Sequence, residues 1–300
     1  MVAEAARRRA LAVDIGGTKL AAAVVDGDGE VVTSASTATP QPTPRSTDGD
    51  GSNGETVFRA LVALVDTVRT GDEAVCGVGC GGPMTAGGAT VSPLNIPAWD
   101  AFPLRRRLAD HLGLPTYVDN DAKALALGEG WQGAGRGRLH FLAMVVSTGV
   151  GAGIVLDGRL LDGAAGNAGH IGHVIVEPGG RRCVCGARGC LEAEASGPSI
   201  LAATGHPPEE ASPEVVSRTG LLVGRAVASV ANLLDLGLAL VAGSVALGFG
   251  EPFFAAAREE LERSARLSFS RSTVIRPAEL GVAGPLVGAA AVGFRGLGWL

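Results

Sequence analysis

The sequence lacks three features, and each absence excludes a class of protein. It has no apolar run long enough to span a bilayer, and Asp14 with the glycines after it interrupts the only N-terminal stretch that resembles a signal peptide. It also lacks a basic face, because the net charge is −5 and the pI is about 5.6. We therefore expect a cytoplasmic protein that binds neither a membrane nor nucleic acid.

Apolar residues and glycines, by contrast, are abundant. Of the 300 residues, 46% are hydrophobic, which is enough for a large core or for two lobes that share one. The 46 glycines have no collagen-like period and are not confined to a linker. They cluster in short loops after apolar runs, where a backbone must approach something closely or take positive φ.

Two α/β segments follow one another along the chain. Apolar runs at 10–15 and 22–26, separated by a Gly-Gly turn, predict strands of a meander, and residues 55–69 have the spacing of an amphipathic helix. A strand, a glycine-rich turn and a returning strand occur again after residue 138. The C-terminal third is mostly helical, with separate helices predicted at 212–219 and 221–236.

This order of elements predicts an α/β fold with two lobes and a cleft between them. We expect a small lobe at 1–119, completed by a C-terminal helix within 285–300, and a large lobe at 120–284. Residues 37–54 are rich in Thr, Ser, Pro, Asp and Gly, which predicts a mobile loop.

The turn after the first strand has the residues of a phosphate-binding loop. Gly16 and Gly17 allow backbone amides to surround phosphate oxygens, and Thr18 and Lys19 add a hydroxyl and a positive charge. Asp14 is placed to hold hydrated Mg²⁺. A Gly-Gly turn alone is a weak signal, but its flanking residues strengthen the prediction of a nucleotide site.

Two similar turns occur later, each after a predicted strand. They are Thr148-Gly149-Val150-Gly151 and Val241-Ala242-Gly243-Ser244. Each alone could be a structural turn. Three such turns in this order indicate the actin-like ATPase and sugar kinase fold, which is ribonuclease H-like, with ATP as the nucleotide.

A cluster of cysteines predicts a metal centre. Cys183, Cys185 and Cys190, together with His173, satisfy a tetrahedral Zn²⁺ site of the Cys₃His type. Four protein ligands leave no open position, so the zinc is expected to be structural. The alternative is three buried free thiols.

Together these motifs resemble the ROK family of sugar kinases and transcriptional repressors, especially its bacterial glucokinase-like members. The resemblance covers nearly the whole chain, and the Cys-x-Cys-Gly-x-x-Gly-Cys-x-Glu signature is its most specific part. The matching segments are 14–19, 81–83, 95–99, 120–122, 148–153, 169–173 and 183–192.

The resemblance implies ATP-dependent phosphorylation of a hexose, normally at the C6 hydroxyl, by a homodimer. Asp121 is similar to the catalytic base of the family, although it could also serve as a helix N-cap. The implied sugar ligands are Gly82, Asn95, Asn120, His170, His173 and Glu192.

Two positions depart from the family pattern. His170 stands where the kinases usually carry Glu, and a neutral imidazole offers one donor and one acceptor where Glu only accepts. An amino or otherwise modified hexose, such as kanosamine or an N-acetylhexosamine, then becomes a candidate beside glucose. Lys123 replaces a more frequent Asn; it could face away from the ligand or favour ionised Asp121.

Two other functions compete with the kinase. A sugar-responsive ROK regulator would place a winged helix-turn-helix before the first strand, and only 13 residues precede Asp14. A non-catalytic sugar-binding protein would not need Asp14, Lys19 and Asp121 together. We therefore expect an enzyme.

Overall fold

The computed structural model describes residues 8–41 and 52–300, so residues 42–51, most of the predicted 37–54 loop, lie outside the described residues. The chain packs into two compact units. Unit 1 comprises Met1–Gly133, Asp162–Ala168 and Val282–Leu300, and unit 2 comprises Ala134–Leu161 and Gly169–Gly281. Each unit is built around one mixed sheet of five strands.

The sheet of unit 1 has the order β3-β2-β1-β4-β5. Its strands are β1 (Arg9–Ile15), β2 (Lys19–Asp26), β3 (Val31–Ala38), β4 (Val75–Cys80) and β5 (Thr116–Asn120). Strands β1, β2 and β3 form an antiparallel meander, whereas β1, β4 and β5 run parallel. The carboxyl ends of the three parallel strands therefore meet at one edge of the sheet.

The sheet of unit 2 repeats this pattern in the order β10-β9-β6-β7-β8. Its strands are β6 (Phe141–Val146), β7 (Val150–Leu156), β8 (Arg159–Leu160), β9 (Leu238–Ala242) and β10 (Val274–Pro277). Again the first three form an antiparallel meander, and β6, β9 and β10 are parallel.

Eight α-helices lie in the described ranges, and none of them combines the length and the apolar composition that crossing a membrane requires. They are α1 (Ser52–Val68), α2 (Leu104–Leu112), α3 (Asp121–Gln132), α4 (Leu191–Ala195), α5 (Gly197–Thr204), α6 (Pro213–Leu234), α7 (Ser244–Ser264) and α8 (Gly284–Gly296).

The apolar face predicted for the first helix is confirmed. It packs against β2 and β3, and each such side chain contributes about 1.5–3 kcal/mol when fully buried. The buried residues are Val57, Leu61, Leu64, Val65 and Val68.

The boundaries of the units differ from the predicted lobes. Helix α3 packs on α8 and β4, so unit 1 continues to Gly133 instead of ending at residue 119. The chain also returns to unit 1 at Asp162–Ala168. Helix α8 packs on β1 and β4, and a Cβ at Gly77 would overlap the carbonyl oxygen of Ala289 in α8.

The two helices predicted at 212–219 and 221–236 are a single helix, α6. Gly220 does not end it. A Cβ at Gly220 would overlap the carbonyl oxygen of Phe253, so this glycine allows α6 and α7 to cross closely. Helix α7 contains a kink at Gly250.

Candidate active site and metal centre

Two carboxylates of unit 1 converge where its parallel strands end. Asp14 in β1 lies opposite Gly79 of β4, and Gly79 lies opposite Asp119 of β5, two residues before Asp121. A Cβ at Gly79 would lie 3.8 Å from Asp14 Oδ1 and 3.7 Å from Asp121 Cα. The Asp14 carboxylate and the backbone of Asp121 therefore both lie next to Gly79.

The environment of Asp14 disfavours its negative charge. Burial, and secondarily the charge of Asp121, raise the pKa of Asp14 to about 7, although Lys19 opposes the rise. Burial, with the charges of Asp121 and Asp14, also raises the pKa of Cys80 well above its ordinary value, so Cys80 stays a neutral thiol. A bound cation would reverse the balance at Asp14. Its carboxylate therefore fits the predicted Mg²⁺.

Hydrogen bonds from residues after β3 stabilise the predicted phosphate turn between β1 and β2. The hydroxyl of Thr39 donates to the Gly16 carbonyl at 2.7 Å, and Gln41 Nε2 donates to the Gly17 carbonyl at 3.0 Å. A Cβ at Gly17 would lie 2.6 Å from the Cβ of Asn95, which explains the glycine. Thr39 and Gln41 were missed by sequence reasoning, because nothing in a polar segment marks these contacts.

The start of α3 presents Asn120 and Asp121 together. Asn120 is the N-cap, and its Oδ1 accepts the amide of Ala122 at 3.0 Å; Asp121 Oδ1 accepts the same amide at 2.9 Å. Asp121 thus lies in the first turn of the helix, where the helix dipole stabilises an ionised carboxylate. That position suits a group that must accept a proton.

Gly82 and Asn95 lie in one loop region of unit 1. The amide of Leu94 donates to the Gly82 carbonyl at 3.3 Å, and the Gly82–Pro83 peptide bond is cis. Asn95 is exposed and packs on Gly17. Unit 1 therefore places Asn95 next to the predicted phosphate turn, and Gly82 hydrogen-bonds to the residue before Asn95.

Lys123 is buried, with an exposed fraction of 2%. Its ammonium group lies 2.7 Å from Asp119 Oδ1 and 2.9 Å from Asp162 Oδ1. Neither of the two sequence-based expectations described these partners. Asp119 lies only four residues before Lys123, whereas Asp162 is distant in sequence.

In unit 2, the second and third glycine turns meet. The hydroxyls of Ser147 and Ser244 lie 2.8 Å apart. Gly243 has φ 101°, and a Cβ there would overlap the backbone of Val146. Thr148 is exposed in the first of these turns.

The two glycines of the Thr148-Gly149-Val150-Gly151 motif lie in different elements. Gly149 lies in the turn itself, whereas Gly151 lies within β7, opposite Val145. Glu192 in α4 accepts the amide of Val150 with Oε2 at 2.9 Å. The turn is thereby tied to the helix that follows the cysteines.

Glycine spacing also positions the two histidines. A Cβ at Gly169 would overlap the carbonyl oxygen of Ala152, and one at Gly172 would overlap that of Val150, so this loop lies directly on β7. The rings of His170 and His173 are nearly parallel, with centroids 6.2 Å apart and an interplanar angle of 17°.

The four predicted zinc ligands are assembled in unit 2. Their ligand atoms all lie within 4.8 Å of one another. A tetrahedral zinc ion with ordinary bond lengths requires S···S distances of about 3.8 Å and S···N distances of about 3.5 Å. The structure has 3.7 Å between the sulfurs of Cys185 and Cys190, and 3.6 Å between Cys183 Sγ and His173 Nδ1. The cluster is therefore compatible with structural zinc.

Glu194 supports the metal loop and was missed by sequence reasoning. Its buried carboxylate accepts the backbone amide of Arg181 at 2.6 Å and the guanidinium of Arg218 at 2.8 Å. Helix α4 starts directly after Cys190, so one short helix links the cluster, Glu192 and Glu194. The sequence signal that could have identified Glu194 is its place as a second acidic residue in a short, largely apolar helix.

The two five-stranded sheets, each a meander followed by two parallel strands, define the fold class of the actin-like ATPases and sugar kinases. Within that class, the sequence profile of the ROK family matches residues 10–294. The chain belongs to the ROK family.

Several relatives are sugar kinases. The chain is 37% identical over 261 residues to an N-acetylmannosamine kinase of Citrobacter koseri, covering 80% of this chain and 84% of the relative. It is 38% identical over 193 residues to a glucokinase of Thermotoga maritima, covering 63% of this chain and 58% of that enzyme.

Solved structures agree with this assignment. A ROK glucokinase from Streptomyces griseus, in complex with glucose and AMPPNP, has a TM-score of 0.81 at 30% identity and covers 96% of this chain and 99% of its own. A ROK hexokinase from Thermus thermophilus has a TM-score of 0.77 at 32% identity, with coverage of 97% and 99%.

Proposed function

We propose that the protein is a sugar kinase that transfers the terminal phosphoryl group of ATP to a hexose hydroxyl, normally that on C6. The observation that carries this proposal is the convergence of Asp14 and Asp121 at Gly79, at the carboxyl ends of parallel strands. Phosphoryl transfer needs a group that orients the attacking hydroxyl and a separate group that holds the metal of the nucleotide.

Asp121 is the general base in this proposal. Its carboxylate takes the hydroxyl proton as the hydroxyl oxygen forms its bond to phosphorus and the bond to the departing ADP breaks. Asp14 would hold Mg²⁺, which offsets charge on the phosphates. The amides of the β1–β2 turn and Lys19 stabilise the same charge, and the Thr148-Gly149 and Gly243-Ser244 turns contribute amides and hydroxyls in unit 2.

The zinc cluster has a supporting role. His173, Cys183, Cys185 and Cys190 would hold the ion, which fixes the start of α4 and thus the position of Glu192. Glu192 and His173 are proposed sugar ligands on the basis of the family resemblance.

The substrate we favour is a hexose with an acetamido group, N-acetylmannosamine first. Glucose, which lacks this group, is the second candidate. A carbonyl oxygen needs a hydrogen-bond donor, which the imidazole of His170 supplies and the usual Glu does not. The amino group of kanosamine gains less from a neutral imidazole. The relatives named N-acetylmannosamine kinase also align over more of the chain than the Thermotoga glucokinase does.

The test is ADP release with Mg-ATP against glucose, mannose, fructose, glucosamine, N-acetylglucosamine, N-acetylmannosamine and kanosamine. Asp121→Asn serves as the blank, because it keeps a side-chain oxygen for the Ala122 amide and removes the base. Turnover that is lost in the blank supports the kinase; no turnover on any sugar contradicts it. His170→Glu should shift the ratio of kcat/KM values toward glucose if His170 selects the acetamido group.

A sugar-responsive regulator is the alternative. A ROK transcriptional regulator homologous to the Escherichia coli MLC protein shares the fold, with a TM-score of 0.75 at 23% identity. An electrophoretic mobility shift with DNA, combined with absent turnover, would favour that function.

The expected homodimer is a separate prediction, which light scattering of the purified protein checks.

A further inference from the structure

Lys123 has contacts that the proposed chemistry does not use. Of the 25 lysines and arginines in the chain, only two are lysines, at positions 19 and 123. The buried ammonium of Lys123 meets three acceptors, Asp119 Oδ1, Asp162 Oδ1 and the carbonyl oxygen of Gly166, the last at 3.2 Å. An ammonium has three donors that can turn toward three converging acceptors, whereas the fork of a guanidinium is planar.

Arg295 completes a cluster of four charges within unit 1. Its Nη2 lies 2.8 Å from Asp162 Oδ2, and its Nη1 lies 3.6 Å from Asp119 Oδ2. Burial opposes ionisation of Asp162, but hydrogen bonds from Arg295 and Lys123 outweigh it and lower its pKa. Burial raises the pKa of Asp119, and Lys123 opposes that rise. Two cations and two carboxylates balance, and loss of Lys123 would remove the nearer cation from the buried carboxylate of Asp119.

The cluster binds one end of the segment Asp162–Ala168, which we call the 162–168 tie. The other end is bound through Asn167, whose Nδ2 donates to the Met84 carbonyl at 3.0 Å and whose Oδ1 accepts the Met84 amide at 3.3 Å. The tie is closed internally by a hydrogen bond of 3.0 Å from the Ala168 amide to the Asp162 carbonyl. It therefore links the loop after β4 to the first turn of α3.

These contacts connect two parts of the candidate active site. Met84 follows Gly82 by two residues, and Lys123 follows Asp121 by two residues. We propose that Lys123 is a positioning residue. It acts through the 162–168 tie to hold the loop after β4, which contains Gly82, in a fixed position relative to Asp121. The role in turnover rests on the proposed kinase function; the role of the tie in the fold does not.

The test uses the full-length protein with Lys123→Met and, separately, Asn167→Ala, which cut the tie at opposite ends. Each variant should raise the KM for the hexose about tenfold, since small displacements of a bound reactant are costly. The KM for ATP should stay the same. The double variant should be less than additive, because both changes break one connection.

Asn232→Ala is the matched control. Asn232 lies in unit 2, where it donates to the Ser264 carbonyl at 3.2 Å and accepts from the buried hydroxyl of Ser270 at 2.6 Å. It should lower the melting temperature and leave the KM for the hexose unchanged. If Lys123→Met and Asn167→Ala behave like this control, they only stabilise the fold and the proposal is overturned.

A shift in the pH midpoint of kcat, with the KM for the hexose unchanged, would also overturn the proposal. Lys123 would then act through the charge of Asp121.

Hydrogen exchange tests the tie without turnover. Lys123→Met should speed amide exchange at Met84, whose amide donates to Asn167, and at Ala168, whose amide closes the tie on Asp162. Asn167→Ala provides the same readout if the first variant does not fold. Unchanged exchange at both amides would contradict the proposal that Lys123 holds the 162–168 tie in place. If the wild-type protein phosphorylates no sugar but the exchange result holds, the kinase function fails and the structural connection stands.

Discussion

Units 1 and 2 share a strand pattern but differ in the chemistry at the ends of their parallel strands. In unit 1 those ends carry Asp14 and Asp121, which both lie next to Gly79. In unit 2 the corresponding ends carry the hydroxyls of Ser147 and Ser244. The backbone of this fold thus supplies a place for chemistry, and the side chains decide which chemistry it is.

The two units also differ in what supports these ends. Unit 1 uses a cluster of ion pairs around the buried Lys123, whereas unit 2 uses a cluster of cysteines and a histidine that fits zinc. If this comparison is correct, changes at Asp14 and Asp121 should alter proton transfer and charge. Changes at the cysteine cluster should alter metal content, and changes at Ser147 and Ser244 should alter nucleotide affinity.

The largest effect is expected for Asp14→Asn in unit 1. Loss of the carboxylate that would hold Mg²⁺ should lower kcat by about a thousandfold. The free energy of unfolding of this variant, by contrast, should rise relative to wild type at high pH. The folded pKa of Asp14 is about 7 against an ordinary value of 3.8, so wild-type stability falls as pH rises through this interval.

The variant lacks that titration and should gain stability relative to wild type at pH 8, by at most about 4 kcal/mol. Urea unfolding at pH 5 and pH 8 measures this gain. Asp110→Asn, at an exposed position in α2, is the control and should show no such gain. Equal stability of Asp14→Asn and wild type at both pH values would contradict the environment described for Asp14.

A second effect is expected for Cys190→Ser in unit 2. The purified wild-type protein should contain one zinc ion per chain by atomic absorption, and the variant should contain almost none. The free energy of unfolding should fall by about 3 kcal/mol or more, because metal binding is coupled to folding.

Cys76→Ala is the control for loss of a buried thiol outside the cluster, and it should keep its zinc. Wild-type protein without zinc, prepared without chelators in zinc-containing medium, would contradict the metal centre and leave the interpretation as free thiols.

The smallest effect is expected for Ser244→Ala. This change removes the hydrogen bond between the hydroxyls of Ser147 and Ser244, which is worth about 1 kcal/mol. The KM for ATP should rise about fivefold, and the KM for the hexose should stay the same. Ser229→Ala, an exposed position in α6, should change neither value. A larger change in the KM for the hexose than in the KM for ATP would contradict the nucleotide-binding role given to the Ser147 and Ser244 hydroxyls.

Several features could be predicted from neighbouring residues alone. The apolar face of α1, the Asp14 turn and the four metal ligands each depend on short spacings, which the local backbone converts directly into shared faces or loops. The prediction of a helix break at Gly220 was wrong. In a sequence, a glycine that ends a helix cannot be distinguished from one that lets a second helix pack closely against the first.

The amino-acid sequence by itself determined the family, the two α/β segments and the residue types of the candidate site, because these depend on local pattern. Only the tertiary structure decided that α3 and Asp162–Ala168 belong to unit 1, that Thr39 and Gln41 hold the predicted phosphate turn, and that Lys123 is buried beside Asp119 and Asp162. These features depend on contacts between residues far apart in the chain, and the spacing of residues in a sequence carries no record of such contacts.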